Sequence, residues 1–145
     1  LKYDYIKLPT QDTWGVLMRK DSELSNLDSI SPEDLRDKPI IISSQGMVKN
    51  AISGWIGGNR RKLNIIATYN LIFNASILVQ ENVGYALGLD NLMNFNEESN
   101  LCFKPLYPSL KANLNIVWKK YKFFSKSSEY FLNLLKEEIK NYTDK

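Results

Sequence analysis

The sequence predicts an α/β fold, and three observations carry that expectation. Short apolar runs alternate along the chain with segments of helical periodicity, joined by polar stretches. One run, Pro39-Ile40-Ile41-Ile42, is apolar without a break, as a strand buried on both faces of a parallel sheet must be. Twice, such a run leads through a polar joint into a helix with one apolar face, which is how strands of a parallel sheet are connected.

Taken in order, Tyr3 to Leu8 and Trp14 to Met18 read as two short strands separated by Pro9-Thr10-Gln11-Asp12. Ser31-Pro32-Glu33-Asp34 combines a capping hydroxyl, a proline at the first helical position and an acidic residue three after the cap, so a brief helix is expected before Pro39. After the Pro39 strand and the joint Ser43-Ser44-Gln45-Gly46, the residues Met47, Val48, Ala51, Ile52, Trp55 and Ile56 fall on one helical face, and Gly57-Gly58 stops the helix. The second unit is Leu63 to Ala67 as strand, Thr68-Tyr69-Asn70 as joint, and Leu71, Ile72, Ala75, Leu78 and Val79 down a helix face. Gly84 to Leu89 is a further strand. A polar break from Asn94 to Asn100 precedes strands at Leu101 to Leu106 and Leu114 to Lys119. Ser125 can cap a last helix with Phe131, Leu132, Leu135, Ile139 and Tyr142 on one face.

Composition narrows the function. At 145 residues with 43% hydrophobic and 24% charged residues, the chain has the composition of a folded domain rather than a disordered one. No apolar run approaches the roughly 18 to 20 residues of a membrane helix, so no membrane partner is expected. The start, Leu1-Lys2-Tyr3, lacks Met and any basic stretch leading into an apolar one, and reads as a trimmed segment rather than a signal peptide. Without histidine there is no Ser-His-Asp triad, no histidine base and no histidine metal ligand, and the single Cys102 reads as a small buried hydrophobe. Asp12, Asp21, Glu23, Asp28, Glu33 and Asp34 lie in polar stretches and read as solvated surface charges. No enzyme activity, metal or cofactor is therefore expected. A small transferase or lyase using Asp12 or Asp21 is the enzymatic alternative. The net charge of +3 is mild, and neither Arg60-Arg61-Lys62 nor Lys119-Lys120-Tyr121-Lys122 makes a nucleic-acid stripe. The three tryptophans, Trp14, Trp55 and Trp118, read as packing residues.

The order of motifs resembles the effector-binding domain of LysR-type transcriptional regulators. Asp12-Thr13-Trp14-Gly15-Val16-Leu17-Met18-Arg19 looks like that family's crossover strand, and Ile30 to Ile41 like its Leu-x-Asp-Leu segment followed by Pro and a hydrophobic strand. Glu81 to Leu89 resembles its Gly-x-Gly strand, and Ile116 to Lys120 with Phe131-Leu132 resembles its return strand and closing helix. Three positions depart from the pattern: no proline precedes Leu24, Asn82 stands where the first glycine is common, and Asp90 replaces a usual proline. The resemblance implies a type 2 periplasmic-binding-protein-like fold, with about 15–115 forming the second lobe nearly complete, and 1–14 and 116–145 remnants of the first. It implies a cytoplasmic bacterial regulator that senses a small-molecule effector between its lobes and changes oligomer geometry. DNA would be bound only through a helix-turn-helix absent from this chain. It also implies a homo-oligomer formed through the 47–56 helix and the 63–67 strand. A solute-binding protein of a transporter with the same fold is the alternative.

Candidate effector contacts follow from the joints. In an open α/β sheet ligands sit beyond the carboxyl ends of the strands, where helix starts offer unpaired N–H groups. Ser43, Ser44 and Gln45 form one such joint, and Thr68, Tyr69 and Asn70 the other. Plain N-capping by the same Ser and Asn side chains is the structural alternative. Uncharged joints suit a small carboxylate or polar metabolite better than a phosphate-rich one.

Overall fold

The computed structural model describes residues 2–57, 63–92, 99–121 and 123–143. Arg60-Arg61-Lys62, Gly58, Lys122 and most of the polar break after Asn94 lie outside the described residues, as do the side chains of Met47 and Val48. In chain order the elements are β1 (Tyr3–Arg19), a 3₁₀ turn (Glu23–Asn26), β2 (Pro39–Ser43), α1 (Gly46–Ile56), β3 (Asn64–Tyr69), α2 (Ile72–Gln80), β4 (Tyr85–Leu89), β5 (Leu101–Pro105), β6 (Lys111–Lys119) and α3 (Lys126–Thr143). They form two compact units, residues 13–111 and residues 1–12 with 112–145.

In the unit of residues 13–111 the strand order is β3-β2-β4-β1-β5. The isoleucines of β2 are buried on both faces, which only a strand with partners on both edges can tolerate, because its N–H and C=O groups have no water to turn to. Those partners are β3 and β4, both parallel to it. β1 runs antiparallel between β4 and β5, pairing Trp14 with Leu89 and Arg19 with Leu101 at its ends. On one face Leu17, Ile41, Tyr69, Ala86 and Leu101 pack with Ala75 and Val79 of α2. On the same strands Val16, Met18, Ile40, Ile42 and Leu87 alternate to the opposite side and are equally buried.

Helix ends follow the local chemistry. α1 stops at Gly57, whose φ of 91° only glycine holds without strain. At the C-terminus of α2 the Arg19 guanidinium donates to the Gln80 carbonyl at 2.9 Å, a cation where the helix dipole favours one. The same guanidinium bonds Asp21 at 2.8 Å, which raises the affinity of Arg19 for its proton and holds the Asp21 carboxyl below its usual range.

In the other unit β6 pairs with the first half of β1. The Lys120 N–H donates to the Lys2 carbonyl at 3.0 Å and the Gln11 amide to Asn113 Oδ1 at 2.7 Å, so the ribbon is antiparallel. Ser125 caps α3, accepting from the Ser128 N–H at 3.2 Å. Leu132, Leu135 and Ile139 of α3 are half-buried, whereas Phe131 and Tyr142 stay exposed.

Several expectations are corrected. Tyr3–Leu8 and Trp14–Met18 belong to one strand of 17 residues, which passes through exposed Pro9, where β6 is its partner among the described residues. No helix forms at Ser31: the Asp34 carboxylate turns back onto both the Ser31 N–H and hydroxyl, and single turns bonded Asp34 to Ser31, Arg36 to Glu33 and Lys38 to Leu35 replace it. Asp12 is buried rather than solvated. The apolar face of α1, by contrast, packs as its spacing predicts, with Ile56 buried and Trp55 half-buried, its indole N–H donated to the Pro108 carbonyl at 2.8 Å.

Gly15 is the tightest backbone position of β1. A Cβ there would come within 2.2 Å of the Phe103 ring and 2.4 Å of the Lys104 carbonyl, a ladder atom that cannot retreat without breaking the sheet. Gly15→Ala should therefore destabilise the unit by about 2 kcal/mol or more. Urea unfolding checks this, and an unchanged midpoint would contradict the packing described.

Candidate functional site

The position of the site follows from connectivity. After β2 the chain crosses through α1 to β3 at the sheet edge, and after β3 it crosses back through α2 to β4 on the other side of β2. Right-handed crossovers in opposite directions put the two helices on opposite faces of the sheet. The loops leaving β2 and β3 therefore go to opposite faces, and the carboxyl ends of such neighbouring strands are where open α/β sheets place their ligands. Ser43 pairs with Tyr69 in the ladder, and the Ser44 N–H donates to the Tyr69 carbonyl at 2.8 Å. The two sequence-derived joints are thus side by side.

The six candidate residues do not share one role. Ser44, Gln45, Thr68 and Asn70 are exposed. Ser43 is buried, and its hydroxyl accepts the Gln45 N–H at 3.3 Å. Tyr69 is turned into the core: its hydroxyl donates to the Leu87 carbonyl at 2.8 Å, and burial pushes the phenol up to about 12. Thr68 and Tyr69 are also the last residues of β3, so the second joint is shorter than its sequence suggests. Each parallel strand fixes which way its last side chains point, which the residue types alone do not reveal.

The capping alternative finds no support at either helix. The N-cap residues are Gln45 for α1 and Leu71 for α2, and neither makes a side-chain capping bond. Ser44 and Asn70 lie one residue too early to cap. Two helix starts thus lie beside these strand ends without a bond from their N-cap side chains, an arrangement suited to a small anionic or polar group.

Asp90, noted in the sequence only as a departure from the resembled pattern and given no role, lies just beyond the carboxyl end of β4, the other neighbour of β2. Its carboxylate accepts the Thr13 N–H at 2.7 Å and its own N–H donates to the Thr13 carbonyl at 2.9 Å. The signal available in the sequence was a carboxylate where the resembled strand ends in proline.

Elsewhere the chemistry is sparse. Among the described residues no group of three or more His, Cys, Asp or Glu could hold a metal, and no helix is long and apolar enough to cross a membrane. Cys102 is half-buried rather than buried, and that burial raises its thiol above the ordinary range. In the unit of residues 1–12 and 112–145, a cleft of about 350 Å³ lies between Ile116 and Trp118 of β6 and Phe131 and Leu132 of α3.

Comparison with known proteins adds the following. The sequence model of the LysR substrate binding domain matches residues 2–140. No curated protein sequence matches the chain. Among solved structures, the CcmR regulatory domain of Synechocystis PCC6803 in complex with 2-PG is similar with a TM-score of 0.79 at 16% identity, over 97% of this chain and 69% of that one. The effector binding domain of QuiR in complex with shikimate is similar with a TM-score of 0.78 at 17% identity, over 97% and 66%. HinK, a LysR family transcriptional regulator from Pseudomonas aeruginosa, is similar with a TM-score of 0.74 at 14% identity, over 95% and 49%. The chain thus spans about half the length of that regulator.

The buried phenol of Tyr69 yields a pH signature. Its folded-state affinity for the proton is raised above the ordinary value near 10, so the stability it contributes is complete below about pH 10 and is lost as pH rises toward about 12. Tyr69→Phe should cost about 1 kcal/mol near neutrality, through the lost bond to Leu87, and the gap to the parent should shrink near pH 11. Urea unfolding at the two pH values measures both. A gap that stays constant would mean the phenol is solvated in the folded chain.

Proposed function

The chain belongs to the LysR substrate-binding-domain family, and from that premise we propose that it senses a small-molecule effector for a transcriptional regulator, with the effector held at the paired starts of α1 and α2. The observation that carries the reading is the single hydrogen bond from the Ser44 N–H to the Tyr69 carbonyl, which ties two uncapped helix starts together at adjacent parallel strands. Ser44 and Asn70 supply exposed hydroxyl and amide groups there, with Gln45 and Thr68 at the rim. Ser43 and Tyr69 serve as supports: one holds the loop through Gln45, the other fixes the end of β3 from within the core. Uncharged side chains beside two positive helix ends favour a small carboxylate. The complex of QuiR with shikimate, itself a small carboxylate, supports this choice.

In this reading residues 13–111 form the second lobe, and residues 1–12 with 112–145 contribute to the first. The preference of the effector for one arrangement of the regulator shifts the geometry of an oligomer. The regulator works in the bacterial cytoplasm, reaches DNA through a separate helix-turn-helix and performs no catalysis. The family is one of regulator effector domains, which favours this role over transport.

Two outcomes follow. In a protein carrying the complete domain, a panel of small carboxylates, shikimate among them, should contain a compound that raises the melting temperature. Ser44→Ala with Asn70→Ala should weaken its binding about tenfold to a hundredfold, since each buried hydrogen bond lost costs roughly 1 kcal/mol or more. An unaltered affinity would move the site elsewhere. The second outcome concerns assembly through α1 and β3. Among the described residues β3 is the edge of its sheet, and Ile65 and Ile66 on it are exposed by 48% and 45%. An unpaired edge with two adjacent isoleucines is a template for association. Sedimentation should show concentration-dependent self-association that Ile65→Lys abolishes, and a monomer at every concentration would exclude this interface.

A further inference from the structure

We propose that Asp90 is a positioning residue that fixes the point at which β1 leaves the sheet of residues 13–111. The ladder between β1 and β4 runs from Leu17 opposite Ala86 to Trp14 opposite Leu89, and its next rung is Thr13 opposite Asp90. In such a rung the two residues exchange both main-chain bonds. Half of the exchange is present, as the Asp90 N–H donates to the Thr13 carbonyl at 2.9 Å. The other half is replaced: the Thr13 N–H donates at 2.7 Å to the Asp90 carboxylate instead of the Asp90 carbonyl.

The reason lies one residue on. Asn91 has a φ of 59°, so the chain turns sharply after Asp90 and carries its carbonyl out of the ladder. The side chain stands in for the missing main-chain acceptor, with the added strength of a charged one. Proline, which usually ends this strand in the family pattern, has neither an N–H to donate nor a side chain that accepts, so it could make neither bond. On its opposite edge β1 is held by the Trp14 N–H bond to the Leu110 carbonyl at 2.8 Å and by the Leu106 N–H bond to the Trp14 carbonyl at 3.0 Å. The division between the two units falls at residues 12 and 13, immediately beyond this pair of anchors. Without the carboxylate the Thr13 N–H would lose this acceptor, and the last β1–β4 rung with both bonds made would be Gly15 opposite Gly88.

β1 leaves the sheet of residues 13–111 at Thr13, so Asp90 fixes the last anchored residue of β1 within that unit. The anchoring does not rest on the effector-sensing reading above.

Amide hydrogen exchange of the ligand-free chain tests the anchor residue by residue. Thr13 should be protected in the parent. In Asp90→Ala its exchange should rise about tenfold or more, the loss of one charge-assisted bond, while the amides of Val16 and Leu17 keep their rates. Asp90→Asn, which keeps an acceptor oxygen in place, should stay within about threefold of the parent. An unprotected Thr13 in the parent overturns the proposal without any substitution. So does an unchanged Thr13 rate in Asp90→Ala, or a uniform rise through residues 14–17, which would make Asp90 a general fold residue. Because no effector enters the measurement, failure here leaves the effector-sensing reading standing, and a failed effector screen leaves the anchor standing.

Discussion

A strand buried on both faces can hide its backbone polar groups only by pairing on both edges, and β2 imposes that constraint on everything around it. Ile40, Ile41 and Ile42 leave no face for water, so β3 and β4 must both be present and in register. Parallel neighbours cannot be joined by tight turns, so each connection must be a helical crossover. Because β2 lies between β3 and β4, the two crossovers run in opposite directions and their helices cover opposite faces. The pairing of the two joints at the ends of β2 and β3 is therefore a consequence of burying three isoleucines.

How much of this could be read in advance depended on whether a residue's role is set by its neighbours in sequence or by partners far along the chain. The unbroken Ile run and the helical spacing of Ala51, Ile52 and Ile56 were legible because strand burial and helix faces are local patterns. Pro9 misled, because proline ends a strand only where its N–H is needed, and the edge partner that decides this comes from residues beyond 110. Ser31-Pro32-Glu33-Asp34 carried every sign of a helix start. Asp34 instead closes a turn with Ser31, and the segment is committed to positioning Ile30, which bridges to Leu106, and the buried Leu35. Tertiary burial outweighed a local signal of a few tenths to about 1 kcal/mol.

The site was legible to the level of its joints and no further. Ser and Asn between a buried strand and an amphipathic helix mark the joint, yet the same letters serve for capping, for binding and for holding a loop. Only the pleat decides that Tyr69 points inward to Leu87 while Thr68 and Asn70 point out. Leaving both helices without a capping side chain forgoes on the order of 1 kcal/mol at each. The core beneath the second joint, where Tyr69, Ile41 and Ala86 pack against α2, holds it in place without such a bond.

The two units differ in what they can support alone. Residues 13–111 have five strands in one sheet and apolar layers on both of its faces, enough for a cooperative core. Residues 1–12 with 112–145 offer a two-stranded ribbon and one helix, and a ribbon of that size is marginal in water. Tyr130, Phe131, Leu134 and Tyr142 of α3 remain more than 40% exposed, far more apolar surface than the ribbon can cover. The candidate effector contacts and the Asp90 anchor all lie in the well-supported unit, where the geometry of a polar joint can be held to within a hydrogen bond. Precision at the site thus depends on the rigidity of β2 and its neighbours.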